Sequence, residues 1–210
     1  MQTAPHQYLT YCTNIHPANG WAAVLENLKR YALPLKAALA SDVPFGLGLR
    51  LSGDESREIL TGDHLPRFAD FLEAHGLRVC LINGFPHGPF HRQAVKDQVH
   101  APDWRTSERV AYTKRLIRVL AHLLPDGIDG GISTNPLSYR PWFDGAPDDA
   151  TWELLTRHVV DVAESLVAAH QTSGKLIHLD LEPEPDGLLD NSGDLIRFFE
   201  DWLLPVGAPM

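Results

Sequence analysis

The sequence predicts an α/β fold: a parallel, barrel-like sheet of about five βα units, read as an eight-unit barrel that is incomplete. Three observations predict it. Strand-like runs alternate with helical runs five times in 210 residues, a pattern that means a parallel sheet with right-handed crossovers. The first, second and fifth strands alternate with period two and keep small or polar residues on one face. Central strands of an open doubly wound sheet are instead covered on both faces and read as continuous apolar runs. Polar groups also gather at the C-terminal ends of the strands, the edge at which α/β proteins bind ligands. Length pulls the other way, since a closed barrel usually takes about 250 residues. Strand chemistry decides for the barrel, with units six to eight absent.

The chain is long enough for one domain with a real core, and 44% hydrophobic residues exclude a disordered chain. Its 18 Lys and Arg against 27 Asp and Glu give a formal charge of −9. That argues against nucleic-acid binding and makes any anion site a local one. Cys12 and Cys80 both fall in strand-like runs and read as buried free thiols, not a disulfide framework. No apolar run is long enough to span a membrane. The opening MQTAPHQY lacks the basic start and apolar core of a signal peptide, so the expectation is a cytoplasmic protein. No repeat, low-complexity run or linker divides residues 1–210, which are read as a single domain. Neither a Gly-x-Ser-x-Gly elbow nor a P-loop is present, which disfavours serine hydrolase and nucleoside-triphosphate chemistry.

The first strand is 8–15, YLTYCTNI. If it runs on, Cys12, Asn14 and His16 share a face, with Asn14 and His16 at its C-terminal edge. Asn19 is placed to cap a helix whose apolar stripe runs through Trp21, Val24, Leu25, Leu28, Leu35 and Leu39, and Pro34 kinks or splits that helix. The second strand, 45–51, points Phe45, Leu47, Leu49 and Leu51 one way and Gly46, Gly48, Arg50 and Ser52 the other. Its alternate glycines mark close approach by a neighbouring element or a ligand. They lie within the strand rather than in the turn after it, so they are no dinucleotide fingerprint. A short helix over 54–60 follows. Asp63 caps another, which carries Leu65, Phe68, Ala69 and Leu72 and is stopped by Gly76.

The third strand, 77–82, leads into a segment, 83–104, that is long for a βα loop. Its aromatics Phe85, Phe90 and Trp104 and its histidines His87, His91 and His100 predict an ordered loop at the rim. A helix over 107–124 and a short strand over 128–134, ending in Asn135-Pro136, come next. An irregular stretch with Tyr139, Arg140, Trp142 and Phe143 precedes a helix over 149–170, stopped by Gly174. The last helix, capped near Asn191 or Ser192, carries Leu195, Phe198, Phe199 and Trp202.

The fifth strand organises the rest. In KLIHLDLEPEPD, 175–186, Ile177, Leu179 and Leu181 point one way and His178, Asp180 and Glu182 the other, until Pro183 ends the ladder. Glu182, at the strand's C-terminal end, reads as a ligand or acid–base group at a barrel mouth; the bland alternative is a solvated strand face. Asp180 either supports Glu182 from behind or forms a structural pair with His178. Glu184 follows a proline and is expected to face solvent or join the rim. His16 either acts on a bound hydroxyl or carbonyl or bonds a loop carbonyl. His87, His91 and His100 have no compact zinc spacing. Asn14, Arg50, Asn83 and Trp104 are candidate pocket residues, although Trp104 and Trp142 serve equally as core or loop anchors.

LTYCTNIHP at 9–17, LINGFPHGPFH at 81–91, VKDQVHAPDW at 95–104, GGISTNP at 130–136 and HLDLEPEPDG at 178–187 resemble the family of metabolite traffic protein EboE, within the xylose-isomerase-like TIM barrels. That resemblance implies a (β/α)8 TIM barrel of which this chain is the N-terminal half or somewhat more. It also implies a divalent-metal-dependent sugar isomerase or epimerase acting on a small metabolite, or else a non-catalytic metabolite carrier. Glu182 matches the strand-five metal ligand of the superfamily, His16 resembles a substrate-side histidine, and His91 lies where related barrels keep substrate or metal contacts. The cofactor implied for the full-length protein is Mn, Mg or Zn. Further ligands belong to strands six to eight, so this chain alone is expected to hold no metal tightly. Open barrel edges predict self-association.

Overall fold

The computed structural model describes residues 2–4, 7–89, 91 and 96–209. A two-stranded antiparallel ribbon, β1 (Gln2–Ala4) and β2 (Gln7–Tyr8), precedes a five-stranded parallel sheet. The sheet contains β3 (Thr10–Cys12), β4 (Phe45–Arg50), β5 (Leu77–Asn83), β6 (Gly130–Thr134) and β7 (Ile177–Leu181), side by side in chain order. Sequential order joined by crossovers of one hand sets every connecting helix on the same face. A doubly wound sheet reverses its order and covers both faces. The architecture is therefore an α/β barrel segment of five βα units, as the strand chemistry predicts.

The helices confirm most of the elements expected from the sequence and correct some of their ends. α1 (Trp21–Asn27) passes through a π-helical turn (Leu28–Ala32) into α2 (Leu33–Leu39). In that turn the Leu33 N–H reaches back five residues to the Leu28 carbonyl. The wider turn lets the helix continue through Pro34, which has no N–H to donate. Gly20, not Asn19, stands at the start of α1, and Glu58 reaches across to accept the Trp21 N–H at 2.5 Å. α3 (Gly53–Glu58) starts on a complete capping box between Ser52 and Glu55. Asp63 precedes α4 (His64–Ala74) but does not cap it, because its carboxylate pairs with Arg67 at 2.8 Å. Thr106, Asp148 and Asn191 cap α5 (Ser107–Leu123), α6 (Asp149–Ser173) and α7 (Ser192–Arg197). Gly174 ends α6 in the left-handed conformation, and α7 continues as a π-helix over Phe198–Gly207.

The core lies between sheet and helices. Leu47, Leu49, Val79, Ile82 and Ile132 are wholly buried on the helix side, against Leu116, Leu120 and Val119 of α5 and their neighbours. Cys80 interrupts the alternation of β5. The ladder pairs Leu47 with Val79 and then Gly48 with Leu81, so Cys80 is an extra residue. Arg78 before the bulge and Leu81 and Asn83 after it consequently share the face away from the helices. Both cysteines are free thiols; Cys80 is buried, but Cys12 is only half-buried. No helix among the described residues is long and apolar enough to cross a membrane.

Candidate functional site

Parallel pairing lines up the inward-facing residues in rows across the sheet. One row reads Cys12, Gly48, Leu81, Gly131, His178. The next, nearer the C-terminal ends, reads Arg50, Asn83, Ser133, Asp180. Glu182 lies one step higher on β7's path, its N–H still donating to the Thr134 carbonyl at 3.0 Å. A packed barrel interior is dominated by bulky branched side chains. Here four consecutive strands present a polar group in one row, and two glycines thin the row beneath.

Individual positions show what each candidate does. Arg50 is buried; its guanidinium donates to the Pro86 and Gly88 carbonyls and meets Glu55 at 3.5 Å. It thereby clamps the start of the long loop. Asn83 is half-buried and its Oδ1 accepts the Phe85 N–H at 3.1 Å. His178 Nδ1 lies 2.7 Å from Asp180 Oδ1, and both side chains are substantially open to solvent. This is one of the two arrangements the spacing left open, formed on an open face instead of a buried one.

The first strand departs from expectation. It ends at Cys12, and Thr13–Ile15 form a 3₁₀ turn, so Asn14 and His16 do not continue the face of Cys12. Arg50 N–H donates to Thr13 Oγ1 at 2.9 Å and holds this turn against the end of β4. His16 lies over the helix side: its ring stacks on Tyr31 of the α1–α2 helix at 4.0 Å, and its Nε2 is 2.5 Å from the Tyr11 hydroxyl. Burial, and then the neighbouring His91, hold its imidazole below the usual histidine range. The structure thus brings His16 and His91 within electrostatic reach of each other. β3 and β7 are four strand spacings apart, about 19 Å along the sheet.

The long loop is held by contacts with the body of the fold where it is described, and Phe90 falls outside the described residues. Arg109 of α5 sits at its base, fully buried, donating to the Gly84, Phe85 and Pro102 carbonyls. One guanidinium therefore ties both ends of the loop, and burial pulls its pKa down to about 10. Trp104 is fully buried, with its indole N–H on Thr134 Oγ1 at 3.2 Å. It anchors the loop in the core and offers no wall to an open cavity. His87 packs on Gly53, where an added Cβ would lie 2.2 Å from its ring.

Sequence reasoning missed the partner of Glu184. His100, buried among Phe85, Tyr139 and Trp142, places Nε2 3.1 Å from Glu184 Oε1. Glu184 is thus half-buried at the rim, and burial together with Glu182 pushes its carboxyl above the usual range. Burial and Arg109 hold His100 low against the pull of Asp97, Asp103 and Asp186. The signal was available only as residue types, a histidine in one loop and a glutamate in another. The contact depends on the loops after β6 and β7 being bridged at Tyr139 and Gly187.

Among the described residues, no group of three or more His, Cys, Asp or Glu side chains could hold a metal ion. The donors near Glu182 are committed elsewhere, Glu184 to His100 and His178 to Asp180. These residues do not by themselves fit the oxygen-rich shell that Mg²⁺ or Mn²⁺ requires. A cleft of about 370 Å³ does open at the ends of β4 and β5, lined by Arg50, Ser52, Arg57, Glu58 and His87. Its charged groups are engaged: Arg57 bonds Asp54 and Glu108, His87 meets Glu108, and Glu58 accepts the Trp21 N–H.

No protein-family model matches the chain. No curated protein matches it. Among solved structures it is similar to a crystal structure of the IolI protein with a bound zinc atom, at 16% sequence identity and a TM-score of 0.49. The match covers 90% of this chain and 58% of that one, so the chain spans under two thirds of its length. The barrel-segment assignment rests on strand order and crossover, not on this likeness.

Proposed function

We propose that the chain handles a small polyhydroxylated or carbonyl metabolite by binding it against the inner face of the barrel segment, as a metabolite-binding or traffic protein. The row Arg50, Asn83, Ser133 and Asp180 carries the reading. A face built to be packed would present aliphatic groups there; a face built for a polar ligand presents donors and acceptors on fixed strands. Asn83, Asp180 and Glu182 are the side chains through which a ligand's hydroxyls would be held. The likeness of the quoted segments to the EboE family supports a traffic role of this kind. The metal-dependent isomerase or epimerase reading needs ligands beside Glu182, which the described residues do not assemble.

Thermal-shift and NMR titration with free pentoses, hexoses and cyclitols test the proposal. Saturable binding is expected, mapped to β5, β6 and β7 and abolished by Ser133→Val or Asp180→Ala, with Arg157→Ala on α6 as an unaffected control. Binding that ignores both inner-face substitutions would sink the reading. Calorimetric Mn²⁺ titration separates the enzyme reading: tight binding lost in Glu182→Gln would return a metal site to this chain.

A further inference from the structure

His178 and Asp180 are not explained by ligand binding alone. Asp180, ionised, can only accept a hydrogen bond. At 2.7 Å its Oδ1 takes the hydrogen of His178 Nδ1, which leaves the lone pair of the neutral ring on Nε2. Nε2 makes no hydrogen bond among the described residues, and the side chain is 54% exposed, so a solute can reach it.

Space for the pair is provided by the neighbouring strand. Gly131 lies beside His178 in the ladder. A Cβ there would stand 2.7 Å from Asp180 Oδ2 and 2.8 Å from His178 Cε1, with Leu81 at 3.2 Å on the third side. Any side chain at 131 would displace both members together. An incidental surface ion pair has no need of such a cradle, because exposed pairs contribute little and tolerate rearrangement.

We propose that His178 and Asp180 form an acid–base dyad on the inner face, in which Asp180 fixes the ring and His178 Nε2 accepts the proton of a ligand hydroxyl. The proposal rests on the metabolite-binding reading above and names its reactive group. In full transfer the ligand O–H bond breaks and an Nε2–H bond forms. The electron pair stays on the ligand oxygen, and Asp180 balances the imidazolium charge. His178 touches the ligand; Asp180 acts through it as a positioning residue. The ligand class is one that offers a hydroxyl; a purely aliphatic compound has no proton for Nε2 to accept.

Long-range ¹⁵N–¹H correlation spectra of the imidazoles test the dyad without any ligand, with His178→Gln assigning the signal. The wild-type chain at alkaline pH is expected to show His178 as the Nδ1–H tautomer. Asp180→Ala and Gly131→Ala should both convert it to the Nε2–H tautomer that a free side chain prefers. Asp180→Asn, whose amide oxygen still accepts, should keep the tautomer, while acylation of His178 by diethyl pyrocarbonate slows several-fold. An Nε2–H tautomer in the wild type, or a tautomer indifferent to Asp180→Ala, would overturn the proposal. Because no sugar is present in these spectra, their failure is distinct from failure of the binding titrations.

Discussion

On β6, Ile132 faces α5 with no exposure, while its neighbour Ser133 faces the interior in a row with Arg50, Asn83 and Asp180. The same contrast runs along β4, where Leu47 and Leu49 are sealed against helices and Gly46 and Gly48 carry no side chain on the other face. The two faces share one backbone ladder, so the difference lies entirely in the side chains. One face is filled by close-packed aliphatic groups that exclude water. The other presents polar atoms at fixed spacing. The two faces therefore divide the labour: substitutions on the helix face should be read in stability, and substitutions on the inner face in binding.

Adjacent residues offer the sharpest way to break that contrast. Ile132→Ala removes wholly buried methyl groups and is expected to cost about 2–5 kcal/mol, whereas Ser133→Ala should cost below about 1 kcal/mol. Urea unfolding of the two variants checks this, and equal losses would mean the inner face is packed too. Glycines give a second, smaller contrast. A Cβ at Gly84 would meet the Ser133 carbonyl at 2.7 Å and Leu116 Cδ1 at 2.8 Å, backbone and core. At Gly131 it meets only the ends of inner-face side chains. Gly84→Ala should therefore lose about 1–3 kcal/mol, while Gly131→Ala stays near wild type in stability and loses the His178–Asp180 bond.

The helix face was legible in the sequence because burial against helices leaves a strict period of two in strands and of 3.6 in helices. Phe45, Leu47 and Leu49, or Val110, Ile117 and Leu120, fall where the pattern puts them. The inner face was legible only where the ladder stayed regular, as in His178, Asp180 and Glu182. At Cys80 a single bulged residue reverses the facing of everything after it, and no composition signal marks it. At Thr13 a turn of three residues carries His16 from the expected interior to the stack on Tyr31. The His100–Glu184 contact was out of reach for a different reason: it depends on how three rim loops interlock, which neither residue's neighbours encode.

The rim histidines supply the smallest and most general test, because they sit on the packed side while His178 does not. His16, His87 and His100 are all held below their ordinary value of 6.5, chiefly by burial. For a depressed histidine the folded state binds fewer protons than the unfolded chain. Its stabilising contribution is complete above about 6.5 and is lost as pH falls through the folded value. Glu184 acts in the opposite sense: its raised carboxyl favours the folded state below 4.5 and loses that contribution as pH rises. Three groups against one make the urea midpoint fall as pH is lowered from about 7.5 toward 5.5. His100→Gln, which removes one of the three, should flatten that slope. His178→Gln, on the open inner face, should remove the diethyl pyrocarbonate signal assigned to the dyad. A slope that His100→Gln leaves untouched would take that buried ring out of the groups that set it.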